Sequence, residues 1–463
     1  MKVKSIPSSW ISRDGLRLDC NPYMSGALEA RIRLEELSCR KERLADLTKG
    51  HDGGIYNGPH FSRNYVEDAE HGVQFLGSSS MLQADLSNLP YLRRKDAESP
   101  KLSSLKIQPG MTLISCSGTI GRMVYVRPDM SEMWSSQHIM KVVPDDEKIP
   151  SGYLYAFLSS KFGVPLVTSG TYGSIIQSIE PEHIAGLPVP RLGEDTEPIV
   201  HSLVELAARK RSEAAELRNE ALLRVISFLE WHPQAASSLW GITSSSNVQR
   251  RFDALHHASG ICAGRERLAS AESSQRLRDV VEEVFEPNRG PRRKVEDAAY
   301  GVQFLSSSEV FRLDPAGEYL ISRSRTPHLE RQLITDRDLL LPRSGQLGGI
   351  IGRAILPLPS YYGSAASEHL VRVRCRAKED AFFIWAVLAT EPGYYAAIGT
   401  AYGSSIPSLD CALLADLRIP WWSDQRREVI VSLVSRMITA LSEAIDAERQ
   451  AVALVELAVE ESP

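Results

Sequence analysis

The feature that most constrains the fold of this chain is a long internal repeat. The segment GVQFL at 72–76 returns at 301–305, about 230 residues further along. Other matches keep the same order and nearly the same separation: 66–69 with 295–298, 120–122 with 351–353, Gln137-His138 with Glu368-His369, 170–174 with 399–404, 187–190 with 417–420 and 202–204 with 432–434. A period this long indicates tandem domains, since solenoid repeats are about 20–50 residues long. The sequence therefore predicts two similar domains related by an approximate twofold axis.

Composition places the chain among ordinary globular proteins. It has 463 residues, of which 43% are hydrophobic and 24% charged, enough for two or three domains. The net charge of −5 argues against a surface coated with phosphate contacts, but it allows a local basic groove.

Cysteines and apolar runs indicate the compartment. The six cysteines form no C-x-x-C pair, so we expect free thiols in a cytoplasmic protein and neither a disulfide framework nor a zinc site. The apolar runs fall short of the roughly 18 residues that a membrane span needs, and residues 1–7 lack the apolar core of a signal peptide. We therefore expect no membrane partner.

Each repeat has the same two-part layout. A mixed segment of roughly 180 residues, with short apolar runs, glycine and serine, precedes a helical segment of roughly 35 residues. The patterns predict strands over 111–116, 122–126 and 139–143, and helices over 153–160 and 381–390. Strands and helices without regular alternation predict an α+β fold.

The two helical segments each carry one apolar stripe. In the first, the stripe comprises Val200, Val204, Ala207, Ala215, Leu222, Val225 and Leu229, interrupted by Arg211 and Arg218. In the second, it comprises Ile430, Val434, Met437, Leu441, Ile445, Val452, Val455 and Val459, interrupted by Glu448. A helix about 50 Å long with one seam needs a partner. We expect an antiparallel pair capped by the two domains, a dumbbell; the alternative is that each helix lies on its own domain.

Catalytic motifs are absent by inspection. The chain has no phosphate-binding G-x-x-x-x-G-K-[ST] loop, and the glycine-rich run at 345–352 lacks the lysine and predicts a turn. No G-x-S-x-G elbow occurs, and the histidines show no metal-ligand spacing. The pattern favours a recognition protein over a catalyst.

The order of these features, occurring twice, resembles the specificity (S) subunit of type I restriction–modification systems. The opening Arg17-Leu18-Asp19 is matched by Arg251-Phe252-Asp253. Each half also has a Gly-Thr turn, at 170–173 and 399–403, and an element ending at Pro190 or Pro420 just before its helix. The resemblance implies target-recognition domains at 1–192 and 233–420, and long spacer helices at 193–232 and 421–463.

The resemblance implies a non-catalytic, sequence-specific DNA-binding subunit of a prokaryotic antiviral defence complex. Each recognition domain would bind one half of a bipartite, asymmetric site in double-stranded DNA, while the helices would set the spacer. Two methyltransferase subunits would dock on the helices, and a separate restriction and translocase subunit would join them. This chain would bind no cofactor, since S-adenosylmethionine and ATP would belong to its partners.

Side chains near the matched turns are the candidates for DNA contact. Arginine can pair with guanine and glutamine with adenine in the major groove, and basic residues also hold phosphates. The candidates are Arg63, Arg122, Gln137, Tyr172, Gln177, Arg292, Arg293, Lys294, Gln346, Arg353 and Tyr402. A surface salt bridge for each arginine and a half-buried ring for each tyrosine are the structural alternatives.

Three other functions stay open on the sequence. The chain could be a protein–protein scaffold, which the net charge of −5 permits, or a DNA-binding subunit of another defence complex. It could also be a diverged nuclease or methyltransferase, which predicts activity of the purified chain alone. A co-purifying adenine methyltransferase would distinguish the specificity subunit from all three.

Overall fold

The computed structural model describes residues 3–13, 21–118, 120–171, 178–232, 244–245, 248, 251–315, 317 and 319–461. The chain divides into two compact units. The first unit is Met1–Ser212 with Glu443–Pro463, and the second unit is Glu213–Ser442. The serine-rich stretch at 237–247 predicts the junction between the repeats, and apart from Ser244 and Ser245 it lies outside the described residues.

The first unit combines three sheets with short helices. Its strands are β1 (Lys41–Arg43), β2 (Ile55–Tyr56), β3 (Tyr65–Val66), β4 (Gly72–Leu76), β5 (Tyr91–Arg93), β6 (Thr112–Ser115), β7 (Met123–Tyr125), β8 (Trp134–Ser135), β9 (Ile139–Val142) and β10 (Pro188–Pro190). Its short helices are α1 (Ser8–Arg13), α2 (Asn21–Met24), α3 (Ala27–Glu36), α4 (Arg94–Ala97), α5 (Ser151–Ser159), α6 (Gly163–Ser169) and α7 (Pro181–Ala185). The predicted strands at 111–116, 122–126 and 139–143 and the helix at 153–160 are confirmed within a few residues.

The core of the first unit lies where its central strands meet α5. Both β6 and β9 are buried along their whole length, as expected of apolar runs covered on both faces. Ile114 of β6 and Tyr153 of α5 share one buried cluster with Val204 and Val455. The apolar positions of the long helical segments therefore complete the core of this unit.

The second unit is built from similar elements. Its strands are β11 (Gln275–Arg276), β12 (Val281–Phe285), β13 (Lys294–Val295), β14 (Gly301–Leu305), β15 (Tyr319–Ser322), β16 (Asp338–Pro342), β17 (Ala365–Ala366), β18 (Leu370–Cys375), β19 (Ala401–Tyr402), β20 (Ser408–Leu409) and β21 (Arg418–Ile419). Its short helices are α9 (Ser259–Ser270), α10 (Leu277–Val280), α11 (Leu329–Gln332), α12 (Lys378–Leu388), α13 (Glu391–Ile398) and α14 (Cys411–Ala415). The predicted helix at 381–390 corresponds to α12.

The sheets of the two units repeat one another in strand order. The order β3-β5-β4-β8 in the first unit matches β13-β15-β14-β17 in the second. In both sheets the last pair is parallel, β4 with β8 and β14 with β17, and the other pairs are antiparallel. The order β2-β9-β6 likewise matches β12-β18-β16. The internal repeat therefore corresponds to a repeat of sheet topology, within a mixed helix-and-sheet fold.

The two helical segments form the helices α8 (Glu197–Leu229) and α15 (Asp424–Glu461). The boundary between the units falls within both of them. Inside the first unit, Lys210 pairs with Glu443 at 2.9 Å and Arg211 forms an ion pair with Glu448. The three apolar residues Ala207, Ala444 and Ala447 also pack together there.

The buried face of α8 differs in part from the predicted stripe. Ala215 and Leu222 are only half-buried, whereas Ala214, Leu217 and Ala221 are buried. The prediction treated Arg211 as an interruption of the apolar stripe because this residue is charged. The buried face passes through that residue, since its charge is paired with Glu448.

Candidate nucleic-acid interface

In the first unit, Arg63 lies against Phe75 of β4 in the β3-β5-β4-β8 sheet. Its guanidinium Nη2 donates to Gln137 Oε1 at 3.0 Å and to Ser136 Oγ at 3.1 Å. The same group lies 5.3 Å from the centre of the Phe75 ring. The parallel pairing of Phe75 with Trp134 brings the residues that follow β8 beside β4. We call Arg63, Phe75 and Gln137 the first arginine cluster.

The second unit places the same types of group at the matching positions. Arg292 Nη2 donates to Glu368 Oε2 at 2.5 Å, and the guanidinium lies 4.4 Å from the centre of the Phe304 ring. Phe304 pairs with Ala365 of β17, just as Phe75 pairs with Trp134. We call Arg292, Phe304 and Glu368 the second arginine cluster.

Aromatic stacking extends the second arginine cluster. The rings of Phe304 and Tyr319 stack with centres 5.3 Å apart and planes 11° apart. Lys294 Nζ lies 3.9 Å from the centre of the Tyr319 ring. Cations thus lie over two stacked rings, a cation–π arrangement that holds long basic side chains in place.

The two clusters differ in charge. Gln137 is uncharged, so its hydrogen bond leaves the positive charge of Arg63 in place, whereas the Glu368 carboxylate neutralises Arg292. Burial alone would raise the pKa of Glu368, but its hydrogen bond with Arg292 holds the pKa below the usual range. Burial, together with the nearby charge of Arg63, lowers the pKa of His138, which follows Gln137.

A buried cation anchors the loop beneath each cluster. Lys141 in β9 is fully buried and its Nζ donates to the Ser136 carbonyl at 3.2 Å. Its counterpart Arg372 in β18 is also fully buried and donates to the Ala366 carbonyl at 2.9 Å and the Leu370 carbonyl at 2.8 Å. Burial lowers the pKa of Lys141 to about 7.

Arg122 and Arg353 follow glycines whose backbones require that residue. Gly121 has φ 76° and Gly352 has φ 72°, the left-handed region that favours glycine. Arg353 Nε donates to the Gly349 carbonyl at 2.8 Å, within the predicted glycine-rich turn. The side chain of Arg122 is half-buried. These two arginines lie in turns separate from the arginine clusters.

The remaining candidates divide between exposed and undescribed positions. Arg293, Lys294 and Gln346 are exposed, and Tyr402 is 48% exposed with its hydroxyl accepting from Arg343 at 3.3 Å. Tyr172 and Gln177 lie outside the described residues. The structure thus brings Arg63 together with Gln137, and places Lys294 beside the Arg292 cluster.

The family-like opening of the second repeat has a structural role. Arg251 donates to Asp253 at 2.7 Å and to the carbonyls of Gly399, at 3.4 Å, and Ala401. His256 Nδ1 also lies 2.9 Å from the Gly399 carbonyl. The opening therefore holds the Gly-Thr turn in place. The matching opening at 17–19 lies outside the described residues.

Sequence reasoning missed three parts of these clusters: the aromatic rings Phe75 and Phe304, the buried cations Lys141 and Arg372, and Glu368. The repeat contained a signal for the rings and for Glu368. The rings lie inside the most similar segment, and Glu368 occupies the position of Gln137. A polar residue in a matched loop that differs between the halves was a candidate for selectivity.

Among the residues that the structure describes, no group of three or more metal-ligating side chains comes together. A shallow groove in the second unit runs between the helices α8 and α15. It is lined by Glu220, Gln425, Glu428, Val429, Ser432 and Leu433.

In the described part of the chain, no individual helix combines the length and hydropathy of a membrane span. The bent pair Lys378–Leu388 and Glu391–Ile398 meets those two criteria only jointly.

Comparison with known proteins gave similarity to solved structures alone. No protein-family model matches the chain, and no curated protein matches it. A type I restriction–modification S subunit from M. genitalium aligns over 92% of this chain and 96% of its own, at 10% identity and a TM-score of 0.37. An HsdS subunit from Thermoanaerobacter tengcongensis aligns over 92% and 97%, at 13% identity and a TM-score of 0.28. A structure described in terms of complex assembly and conformational transition of the type I R-M system aligns over 92% and 98%, at 14% identity and a TM-score of 0.27.

Proposed function

We propose that this chain is the DNA-specificity subunit of a type I restriction–modification complex and has no catalytic activity of its own. The observation that carries the proposal is the paired arginine clusters. Each unit presents an arginine on an aromatic ring, bonded to the loop after a parallel strand, on a sheet of the same order. Two equivalent sites with unlike side chains suit a target with two unlike halves.

The exposed basic residues suit phosphate contacts around these clusters. Lys294 begins β13, and Arg293 directly precedes it, next to Arg292. Phosphate contacts hold a protein on the duplex, while side chains that reach the base edges select the sequence. We assign Arg293 and Lys294 to the first task and the arginine clusters to the second, with Arg122, Gln346, Arg353 and Tyr402 in separate turns as further contacts.

In this proposal, the long helices set the spacer between the two half-sites. Arg211 pairs with Glu448, and further along α8 the Phe228 ring lies under Arg426, so positions on α15 fall as positions on α8 rise. These contacts support an antiparallel arrangement, which would join the two recognition domains as a dumbbell with approximate twofold symmetry. The domains would be 1–192 and 233–420, with the helices within 193–232 and 421–463. The helices would also carry two methyltransferase subunits.

The acidic groove supports protein docking on the helices. Glu220 and Glu428 line it, so it repels DNA phosphates and suits a protein surface with basic residues. S-adenosylmethionine would bind to the methyltransferase subunits and ATP to a restriction subunit. This chain would only determine which DNA sequence the complex recognises.

The proposal is tested by selecting duplexes from a randomised library with the full-length chain, alone and with a co-expressed adenine methyltransferase. We expect enrichment of two short, different sequences separated by a fixed gap, with affinity that falls steeply as salt rises. Methylation should occur at the same sequence in cells. A chain that binds no duplex, or that cleaves or methylates DNA alone, contradicts the proposal.

A further inference from the structure

The loop that follows the parallel strand differs between the units by one functional group. Ser136-Gln137-His138 in the first unit corresponds to Ser367-Glu368-His369 in the second. The flanking serine and histidine are identical, so the amide and the carboxylate occupy matching places. Each is bonded to the matching arginine, Arg63 or Arg292.

The two side chains have different hydrogen-bonding capacities. A carboxylate accepts hydrogen bonds and donates none, whereas an amide both accepts and donates. In the major groove, cytosine presents only the N4 amino donor, while adenine presents an acceptor at N7 and a donor at N6. Glutamate therefore matches cytosine, and glutamine matches adenine.

A bare carboxylate facing DNA would be repelled by the phosphates. Arg292 removes that penalty, because its guanidinium is bonded to Glu368 and stacked on Phe304. The Glu368 side chain keeps 15% of its surface exposed, and Arg292 keeps 33%. The pair is thus neutral overall, held in place and still partly exposed.

In each unit the backbone beneath the loop is fixed by a buried basic side chain. Arg372, buried in β18, donates to the carbonyls of Ala366 and Leu370, which flank Ser367-Glu368-His369. In the first unit, Lys141 donates to the carbonyl of Ser136. Fixed loops keep the geometry that base selection requires.

We propose that this position selects one base pair in each half-site: Glu368 accepts from cytosine N4 in the half-site of the second unit, and Gln137 pairs with adenine in the half-site of the first. This inference rests on the proposed function. Arg63 and Arg292 are positioning residues, which hold the amide and the carboxylate in place.

The experiment exchanges the two functional groups in the full-length chain. Glu368→Gln should change the preferred base at one position of one half-site from cytosine to adenine, by about 5- to 150-fold in relative affinity. Gln137→Glu should make the reverse change in the other half-site. The gap and the unmodified half-site should stay as in the wild-type chain. Glu330→Gln, which removes an exposed carboxylate in the same unit, should change neither half-site.

A second measurement uses the wild-type chain and a modified duplex. Replacing the selected cytosine by pyrimidin-2-one removes the N4 amino group alone. The wild-type chain should lose affinity by the same factor as it does for the wrong base, and Glu368→Gln should lose none. The wild-type part of this result does not depend on the folding of any variant.

The outcomes separate the inference from the proposed function. If the wild-type chain enriches no two-part sequence, the proposed function is wrong. If it does, but both exchanges leave the preferred bases unchanged or pyrimidin-2-one has no effect, the function stands and the assignment of Gln137 and Glu368 is wrong.

Discussion

Arg211 and Glu448 form a buried ion pair between α8 and α15 within the first unit. The Arg211 side chain is 6% exposed, and the Tyr155 hydroxyl also donates to Glu448. Burial alone would raise the pKa of Glu448, but the Arg211 guanidinium holds the pKa below its usual range. The pair therefore stays ionised, and each partner depends on the other.

Removing one partner should be costly. We expect Glu448→Ala to lower the free energy of unfolding of the first unit by about 3–5 kcal/mol, because Arg211 would keep a buried charge without its carboxylate. Urea unfolding of the full-length chain measures this. The exposed Lys210–Glu443 pair on the same two helices is the matched control, and Glu443→Ala should cost under about 1 kcal/mol. Equal losses in the two variants would contradict the argument.

The same pair can be replaced as a unit. The triple variant Tyr155→Phe, Arg211→Met, Glu448→Leu removes the charges and the hydroxyl together. We expect it to recover most of the stability lost in Glu448→Ala, since no buried polar group is left without its partner. A triple variant as unstable as the single one would show that the loss comes from packing and not from charge.

Lys141 should make the stability of the first unit depend on pH. Burial lowers its pKa from 10.5 to about 7, so between these values the unfolded chain binds a proton that the folded chain does not. The free energy of unfolding should therefore rise with pH from about 7 towards 10.5, by up to about 1.4 kcal/mol per pH unit. Below pH 7 lysine is protonated in both states and the contribution is constant.

Urea unfolding of the wild-type chain and Lys141→Met between pH 7 and 9.5 measures this contribution. The free energy of unfolding of the wild-type chain should rise with pH relative to that of Lys141→Met, because the wild-type lysine becomes neutral in the folded state. Lys101→Met, at an exposed position, should keep a constant difference. A constant difference for Lys141→Met as well would mean that its ammonium stays charged in the folded protein.

At the scale of elements, both units make the same sharp turn between two helices. Ser160 Oγ accepts from the backbone N–H of Gly163 at 3.1 Å, and Thr390 Oγ1 accepts from that of Gly393 at 3.2 Å. In the second unit the two helices meet at 90°. The glycines let the second helix approach the end of the first closely.

Adding a methyl group at either glycine should destabilise its unit. A Cβ at Gly163 or Gly393 would collide with the carbonyl oxygen of Phe157 or Val387. We expect Gly163→Ala and Gly393→Ala each to cost about 1–3 kcal/mol in thermal or urea unfolding. Gly186→Ala is the control, because its Cβ would meet no atom nearer than 3.6 Å, and it should change stability by under about 0.5 kcal/mol.

Elements with a strong local pattern were predictable from the sequence. Short apolar runs identified β6 and β9 as strands, and long periodic stretches identified α8 and α15 as helices. The buried face of α8 near Arg211 was not predictable, because the partner that neutralises Arg211 lies 237 residues away. The arginine clusters were missed for the same reason: only the pairing of β4 with β8 brings Arg63 and Gln137 together.

At the scale of the whole molecule, the two repeats share their sheet orders but differ in some of the side chains at matching positions. The sheet orders and the buried cation under each cluster recur, whereas Gln137 becomes Glu368. The Arg211–Glu448 pair is likewise particular to one half, since about 230 residues away the matching positions hold Leu441 and Arg218. Such asymmetry on a common framework suits two different half-sites.

If the helices set the gap between half-sites, their length should determine it. Deleting a heptad from each, 213–219 and 435–441, shortens each helix by about 10.5 Å while nearly preserving the buried face. We expect the preferred gap to fall by about 3 base pairs, at about 3.4 Å each, with both half-sites unchanged. Library selection with the shortened chain measures it.

Deleting four residues from each helix instead rotates one end against the other by about 40°, so affinity should fall at every gap. An unchanged gap after the heptad deletion would mean that the helices hold the partners without measuring the DNA.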